Sequence, residues 1–178
     1  MTPRWVVVDV TLSLDHTDGT DPVRYAQLAD ELDLEVGARA PVAEVRDAVL
    51  TLRRAKGMVL DPDDHDTWSA GSFFTNPLLG PEQAARMPDD APRHLQPDGV
   101  TVKASAAWLI QQAGFEPGYG LPGPAALSTR HTLAITNRGT ATAADLVALA
   151  CEIRDGVDSR FGITLVNEPM LIGTSLVA

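Results

Sequence analysis

The sequence predicts an α+β fold in which helices pack on mixed or antiparallel sheets, and a division of the chain into two units. Three observations predict it. A strand pattern and two helix patterns precede Gly57, a long proline-rich stretch over residues 60–97 follows, and a strand, a helix and a strand close the chain. The 178 residues suffice for one sizeable core or two small ones.

The first unit opens with a strand pattern over residues 5–14, because apolar side chains recur there at every second position. A polar turn follows. A helix is predicted over about residues 22–32, since an aspartate can cap its start and a proline suits its first position. A second helix, over about residues 42–56, shows an apolar stripe and ends before Gly57.

The first half of the second unit gives weaker patterns. Prolines interrupt residues 60–97 repeatedly, which predicts little regular structure beyond a short helix near residues 81–87. A helix over about residues 104–113 comes next. An irregular stretch rich in glycine and proline then covers residues 117–125.

The last fifty residues carry clearer signals. We predict a strand over residues 131–136, a helix over residues 143–161 and a strand over residues 163–166. Thr142 and Asp145 stand at the spacing of a capping box at the start of this helix.

Composition and charge restrict the class of protein. An apolar fraction of 44% is typical of a soluble globular protein, and no apolar run approaches the roughly 20 residues that span a bilayer. The start of the chain shows no signal-peptide pattern, and the single Cys151 cannot form an internal disulfide, which fits a reducing cytoplasm. A formal net charge of −10 argues against nucleic acid or an anionic membrane as a partner.

The stretch over residues 69–77 carries the most chemical information. Ala70 and Gly71 are small enough to let a ligand approach the backbone, and Ser72 places a hydroxyl beside them. Two phenylalanines can exclude water, and Asn76 offers both a donor and an acceptor. The residues therefore favour a substrate-facing turn, with an ordinary loop as the alternative.

Two other positions could take part in chemistry. Glu168 stands between apolar stretches, and a buried carboxylate needs a partner or a task; the alternative is a salt-bridged glutamate on an edge strand. A triad of Ser72 with His131 or His94 is open in principle. No Gly-x-Ser-x-Gly elbow of the hydrolase type surrounds the serine, however.

The acidic run over residues 61–66 raises the question of a metal site, because oxygen-rich runs bind hard cations. It lacks the glycine hinge and the distal glutamate of a calcium-binding loop. A solvated acidic loop is the better interpretation, and no metal is predicted.

Several separated motifs follow one another along the chain: GSFFTNP at residues 71–77, KASAAWLI at 103–110, HTL at 131–133 and NEPMLIG at 167–173. Together they resemble the UDP-N-acetylenolpyruvoylglucosamine reductase (MurB) family. The resemblance implies reduction of UDP-N-acetylglucosamine enolpyruvate to UDP-N-acetylmuramate for peptidoglycan, in the cytoplasm, with hydride from NADPH relayed through FAD.

The resemblance also implies roles for individual residues. Ser72 matches the family serine that protonates the substrate carbon, and Glu168 the glutamate that steadies the enolpyruvyl carboxylate. Gly71, with Ser72, would contact the flavin. The positions implied to bind substrate are Lys56, Asn76, Lys103 and His131.

The glycine-rich FAD loops of the family have no counterpart in this sequence, so we expect the carboxy-terminal portion of a reductase. Residues 1–58 would be a remnant of the FAD-binding region, residues 59–166 the substrate-binding domain, and residues 167–178 a return to the first part. A flavin domain on another chain, or a homodimer, would then be the partner. The alternative is a non-catalytic domain that binds a UDP-sugar or a protein.

Overall fold

The computed structural model describes residues 6–176. The backbone divides into two compact units, Met1–Val59 and Leu60–Ala178. The two units differ in their helices and strands.

The first unit is built on two helices, α1 (Ala26–Glu31) and α2 (Val42–Ala55). The prediction of α2 is confirmed, and the left-handed φ of +67° at Gly57 follows its last turn. Helix α1 begins four residues later than predicted. The reason is that Val23 pairs in extended conformation instead, donating to Ala38 O at 2.8 Å and accepting from Gly37 N at 2.7 Å.

The predicted strand over residues 5–14 is wrong in its described part, because residues 6–14 form no ladder with any described segment. Trp5 lies outside the described residues. Val8 and Leu14 expose 91% and 83% of their surface. Alternation makes a segment suitable for a sheet, but the strand exists only where another edge pairs with it.

The second unit contains two three-stranded antiparallel sheets and three helices. The first sheet has the order β1 (Ser69–Ser72), β6 (Ala134–Asn137), β5 (Ala125–Leu127). The second has the order β2 (Leu78–Leu79), β4 (Val102–Ala104), β3 (Arg93–Leu95). The helices are α3 (Pro81–Ala84), α4 (Ala106–Gln112) and α5 (Ala143–Phe161), and a short 3₁₀ turn covers His65–Thr67. The predicted α+β class is confirmed.

Helix α5 organises the core of this unit. Ile153 and Val157 are fully buried on its inner face, where they join Leu109 and Ile110 of α4 and Leu127 of β5. Its predicted bounds are confirmed. The capping box forms at its start, and the chain leaves its end through a left-handed glycine.

Three predictions for the second unit are wrong. Residues 60–97 contain β1, β2 and β3 rather than little regular structure, because strands of two to four residues are too short to show a period of two. The strand predicted from residue 131 begins at Ala134, after a turn closed by Ala134 N on His131 O at 2.9 Å. Residues 163–166 form no strand, and the chain there joins its neighbour through the single bridge of Asn167 with Phe74.

Candidate functional site

A bulge in β1 sets the position of the predicted serine. Ser69 lies opposite Thr136 and Ser72 opposite Ala134, so β1 carries one more residue than β6 over this interval. Gly71 accommodates that extra residue with φ of +83°, a conformation that side chains of other residues disfavour. A Cβ atom at this position would meet nothing within 4 Å, so this face of the backbone is open.

Ser72 ends β1 in a half-buried position beside a histidine. Its Oγ lies 3.4 Å from Nε2 of His131. The structure thus pairs Ser72 with His131, one of the two histidines that the sequence left open as its partner. Phe73 and Phe74, expected to exclude water near the serine, belong to the core, where their rings meet edge to face at 5.2 Å.

Glu168 lies beside Ser72 through the backbone. Its amide donates to the carbonyl oxygen of Phe73 at 2.8 Å, next to the bridge of Asn167 with Phe74. Its side chain is exposed, however, so the expectation of a buried carboxylate is wrong. The chain bends after Asn167, whose Nδ2 donates to Pro169 O at 2.8 Å, and this bend turns residue 168 towards solvent.

Asn76 is partly committed to the fold. Its Oδ1 accepts a hydrogen bond from the Ala106 amide at 2.9 Å, which satisfies one of the donors left open at the start of α4. Ser105 caps the same helix through Trp108 N. The amide NH₂ of Asn76 is therefore the part of its side chain that remains for a ligand.

The two predicted lysines are both exposed. Lys103 lies on β4, where its backbone is in register with Leu78 and His94. Lys56 belongs to the first unit, where it follows α2 and its Nζ donates to Oε1 of Gln27 at 2.8 Å.

Two open grooves of ligand size lie beside the segments around Ser72, Asn76 and Glu168. One has a volume of about 470 Å³ and includes the immediate neighbours of Ser72 and Glu168, Phe73 and Pro169. The other has a volume of about 540 Å³ and is lined by Asn76 together with Thr75, Gln83, Thr164 and Val166. Both grooves are walled mainly by apolar atoms with a few polar groups at their edges.

A buried ionic network beneath this region escaped prediction. Asp66 is only 4% exposed and accepts hydrogen bonds from Thr129 N at 3.0 Å and from Arg138 Nη1 at 2.9 Å. Arg130 connects it to Asp64. The sequence predicted a solvated acidic loop, and the burial of Asp66 shows that this prediction is wrong for part of the run. Its partners lie more than sixty residues away in sequence, beyond the reach of local patterns.

The network also determines the protonation of Asp66. Burial by itself raises the pKa of this carboxyl, but hydrogen bonds from Thr129, Ser128 and Arg138 together outweigh burial and hold the pKa below its usual value. Asp66 is therefore an ionised carboxylate at neutral pH. Among residues 6–176, the side chains of His, Cys, Asp and Glu form no group of three or more that could hold a metal ion.

FAD needs backbone amides that face its diphosphate, usually in a glycine-rich loop. A Cβ atom on Gly120 would lie 2.6 Å from Ala125 O, and one on Gly123 would lie 2.7 Å from Gly120 O. These glycines are packed against their own backbone and leave no space for a phosphate. Neither of these two glycines suits a diphosphate site, whereas the backbone face at Gly71 is open.

No helix within the described ranges is both long and apolar enough to cross a membrane.

Known proteins resemble the chain over nearly its whole length. The profile of the family described as "UDP-N-acetylenolpyruvoylglucosamine reductase, C-terminal domain" matches residues 61–172. A protein of Thermobifida fusca named UDP-N-acetylenolpyruvoylglucosamine reductase is 54% identical over 182 residues, covering 97% of this chain and 51% of its own length. A protein of the same name from Streptomyces avermitilis is 54% identical over 184 residues, with 97% and 50% covered. The chain spans about half the length of the curated relatives it matches.

Proposed function

The chain belongs to the UDP-N-acetylenolpyruvoylglucosamine reductase family, and from this premise we propose that it supplies the substrate-binding half of such a reductase. The reaction is the reduction of the enolpyruvyl group of a UDP-sugar, UDP-N-acetylenolpyruvoylglucosamine, to give UDP-N-acetylmuramate for peptidoglycan. FAD and NADPH are the redox cofactors of the family. This chain contributes the groups that position the substrate and manage its proton.

One observation carries the proposal. The amide of Glu168 donates to the carbonyl of Phe73 at 2.8 Å, so the chain brings the segment of the carboxyl group to the residue that follows Ser72. Phe73 and Pro169, the chain neighbours of Ser72 and Glu168, line the same open groove of about 470 Å³. That arrangement supports a site for an enol ether with a carboxylate at one end.

The chemistry requires a proton donor on this side of the substrate. When bound, the flavin would supply hydride to one alkene carbon, and the substrate's own carboxylate would spread the negative charge left on the other carbon. Ser72 Oγ–H gives its proton to the charged carbon as a general acid. Glu168 contacts the carboxylate end.

The backbone at Gly120 and Gly123 leaves no space for the diphosphate of FAD. We therefore assign flavin binding to the part of a complete reductase that corresponds to the other half of the relatives. We also propose that Gly71 and Ser72 contact the flavin ring. The residues proposed to contact the UDP-sugar are Lys56, Asn76, Lys103 and His131. Lys56 and Asn76 offer a point charge and a hydrogen-bond donor, which suit phosphate and base recognition.

The test is to reconstitute a reductase. The chain is mixed with, or fused to, the flavin-binding half of the Thermobifida fusca relative, and NADPH oxidation is followed with and without UDP-N-acetylenolpyruvoylglucosamine. Oxidation that needs the sugar nucleotide and both halves supports the proposal. Calorimetric binding of the sugar nucleotide by the chain, without turnover in any mixture, would instead identify a non-catalytic UDP-sugar-binding domain. Neither binding nor turnover would reject both.

A further inference from the structure

Ser72 makes a side-chain contact for which the proposed reaction has given no role. Its Oγ lies 3.4 Å from Nε2 of His131, and both residues are half-buried. Ser72 lies at the end of β1, and His131 lies in the turn before β6, so the two residues are far apart in sequence. The contact therefore exists only in the folded unit.

The turn that carries His131 is held from inside the protein. The His131 amide donates to Ser128 Oγ at 3.1 Å, and this oxygen donates in turn to Asp66 Oδ2 at 3.1 Å. Asp66 is buried and is held on its other oxygen by Arg138 at 2.9 Å. The backbone position of His131 thus depends on a buried network.

A serine is a poor general acid when it acts alone. Its hydroxyl is far less acidic than an imidazolium, so loss of the proton leaves an alkoxide that needs a donor at hydrogen-bond distance. Enzymes solve the matching problem for nucleophilic serines by placing a histidine beside the hydroxyl. Here the same pair of groups stands beside a carbon that must receive a proton.

We propose that His131, protonated on Nε2, resupplies the proton that Ser72 gives to the substrate, an inference that rests on the proposed function. As the Oγ–H bond of Ser72 breaks and a C–H bond forms on the substrate, the Nε2–H bond of His131 breaks and a new Oγ–H bond forms. The imidazole is left neutral. Because His131 is half-exposed, it regains a proton from solvent between turnovers.

The buried network carries balanced formal charge. Asp64, Asp66, Arg130 and Arg138 provide two negative and two positive groups joined by ion pairs, so their formal charges cancel.

The contact itself is tested on the whole chain. NMR spectra of the ring nitrogens of its four histidines are recorded, and the variant His131→Gln assigns the signal of His131. Ser72→Ala should shift the Nε2 signal of His131, whereas Ser159→Ala, on the exposed side of α5, should leave it unchanged. An Nε2 signal that ignores Ser72→Ala overturns the proposal.

The role is tested in the reconstituted reductase. His131→Gln and His131→Ala should slow product formation in a single turnover by about 10- to 100-fold, less than the roughly 10²–10⁴-fold expected for a direct general acid. Added imidazole should restore much of the His131→Ala rate. His94→Gln, on exposed β3, is the matched control and should behave like the parent.

The outcomes separate the inference from the function beneath it. Parental rates in both His131 variants, or a slow His131→Ala variant that imidazole does not restore, reject the relay alone. So does a loss of helical circular dichroism in both variants, which would give the histidine a structural role. A parent assembly without activity rejects the proposed function and the relay with it.

Discussion

The amide nitrogen of Glu168 donates a hydrogen bond to the carbonyl oxygen of Phe73 over 2.8 Å. Since Ser72 precedes Phe73, this contact makes neighbours of two backbone segments that lie far apart in sequence. Their side chains differ in setting: Ser72 is half-buried against His131, whereas Glu168 faces solvent. We infer that the fold positions the serine before substrate binds, while the glutamate adjusts its rotamer to the ligand.

Replacement of Ser72 by alanine is predicted to impair the chemical step and to spare the fold. Its hydroxyl lies 3.4 Å from His131 Nε2, which is a long hydrogen bond, so its removal should disturb β1 little. In the reconstituted reductase, Ser72→Ala should lower the single-turnover rate by about 10²–10⁴-fold with little change in KM. Stopped-flow absorbance checks the rate, and circular dichroism checks the fold.

The matched control for that variant is Ser159→Ala, which removes an exposed serine hydroxyl on α5. It should retain the parental rate. An active Ser72→Ala enzyme would show that another group protonates the substrate. An unfolded one would show that the hydroxyl closes the loop structurally.

Replacement of Gly71 by alanine is predicted to destabilise the second unit through backbone strain alone. The residue has φ of +83° in the β1 bulge, while a Cβ atom there would meet nothing within 4 Å. An L-residue in this left-handed region costs about 1–2 kcal/mol, so the free energy of unfolding should fall by that amount. Urea unfolding monitored by tryptophan fluorescence measures it.

Gly80 provides the comparison, because its φ is −72° and an added Cβ would also lie in open space. Gly80→Ala should change the free energy of unfolding by less than about 0.5 kcal/mol. Equal effects at the two positions would mean that backbone conformation at Gly71 is not the cause.

The parts of the fold that could be predicted from sequence are those with local signals. Helix α5 shows an apolar stripe, a capping box at Thr142 and Asp145, and a terminal glycine, and each of these acts within a few residues of itself. Helix α2 has an apolar stripe and a glycine after its end, but no side-chain cap. The sheets lacked such signals, since their strands have two to four residues and their bulge at Gly71 breaks the alternation.

The candidate site shows the same limit in another form. Motif resemblance selected Ser72 and Glu168, and their roles stay predictions. The pairing of Ser72 with His131 and the burial of Asp66 depend on contacts between distant segments, which no spacing along the chain reveals. Even the exposure of Glu168 follows from a bend after Asn167 rather than from the apolar residues around it.

The buried carboxylate of Asp66 is predicted to make the second unit sensitive to acid. Its folded pKa lies below the unfolded value of about 3.9. The stabilisation is therefore complete above that value and is lost as the pH falls through the lower folded pKa. Urea midpoints measured from pH 7 down to about pH 2 should decline most steeply below about pH 4.

Asp66→Asn should flatten that decline. At pH 7 it should also lower the free energy of unfolding by about 3–5 kcal/mol, because Arg138 loses its buried partner. Asp63→Asn, in the exposed part of the same acidic run, is the control and should leave both quantities nearly unchanged. A steep acid transition that persists in Asp66→Asn would assign it to other carboxyl groups, such as Asp64, whose pKa is also lowered by the Asp66 amide and Arg130.

Replacement of Gly156 by alanine is predicted to destabilise the protein, against the usual trend. Within a helix, alanine normally exceeds glycine in stability by roughly 0.5–1 kcal/mol. In α5, however, the new Cβ would lie 2.5 Å from Cε2 and Cζ of Phe115, a buried ring that also meets Tyr119 edge to face. Such overpacking costs about 1–3 kcal/mol, so the net change should lower the urea midpoint.

The sign of that change identifies its cause. Ser159→Ala, at an exposed position of the same helix, reports helix propensity alone and should raise the midpoint or leave it unchanged. Combining Gly156→Ala with Phe115→Leu should recover part of the loss relative to Phe115→Leu alone, because the smaller side chain makes space for the methyl group. If Gly156→Ala by itself raises the midpoint, the Phe115 ring moves aside at little cost, and close packing is not the reason for a glycine in the middle of α5.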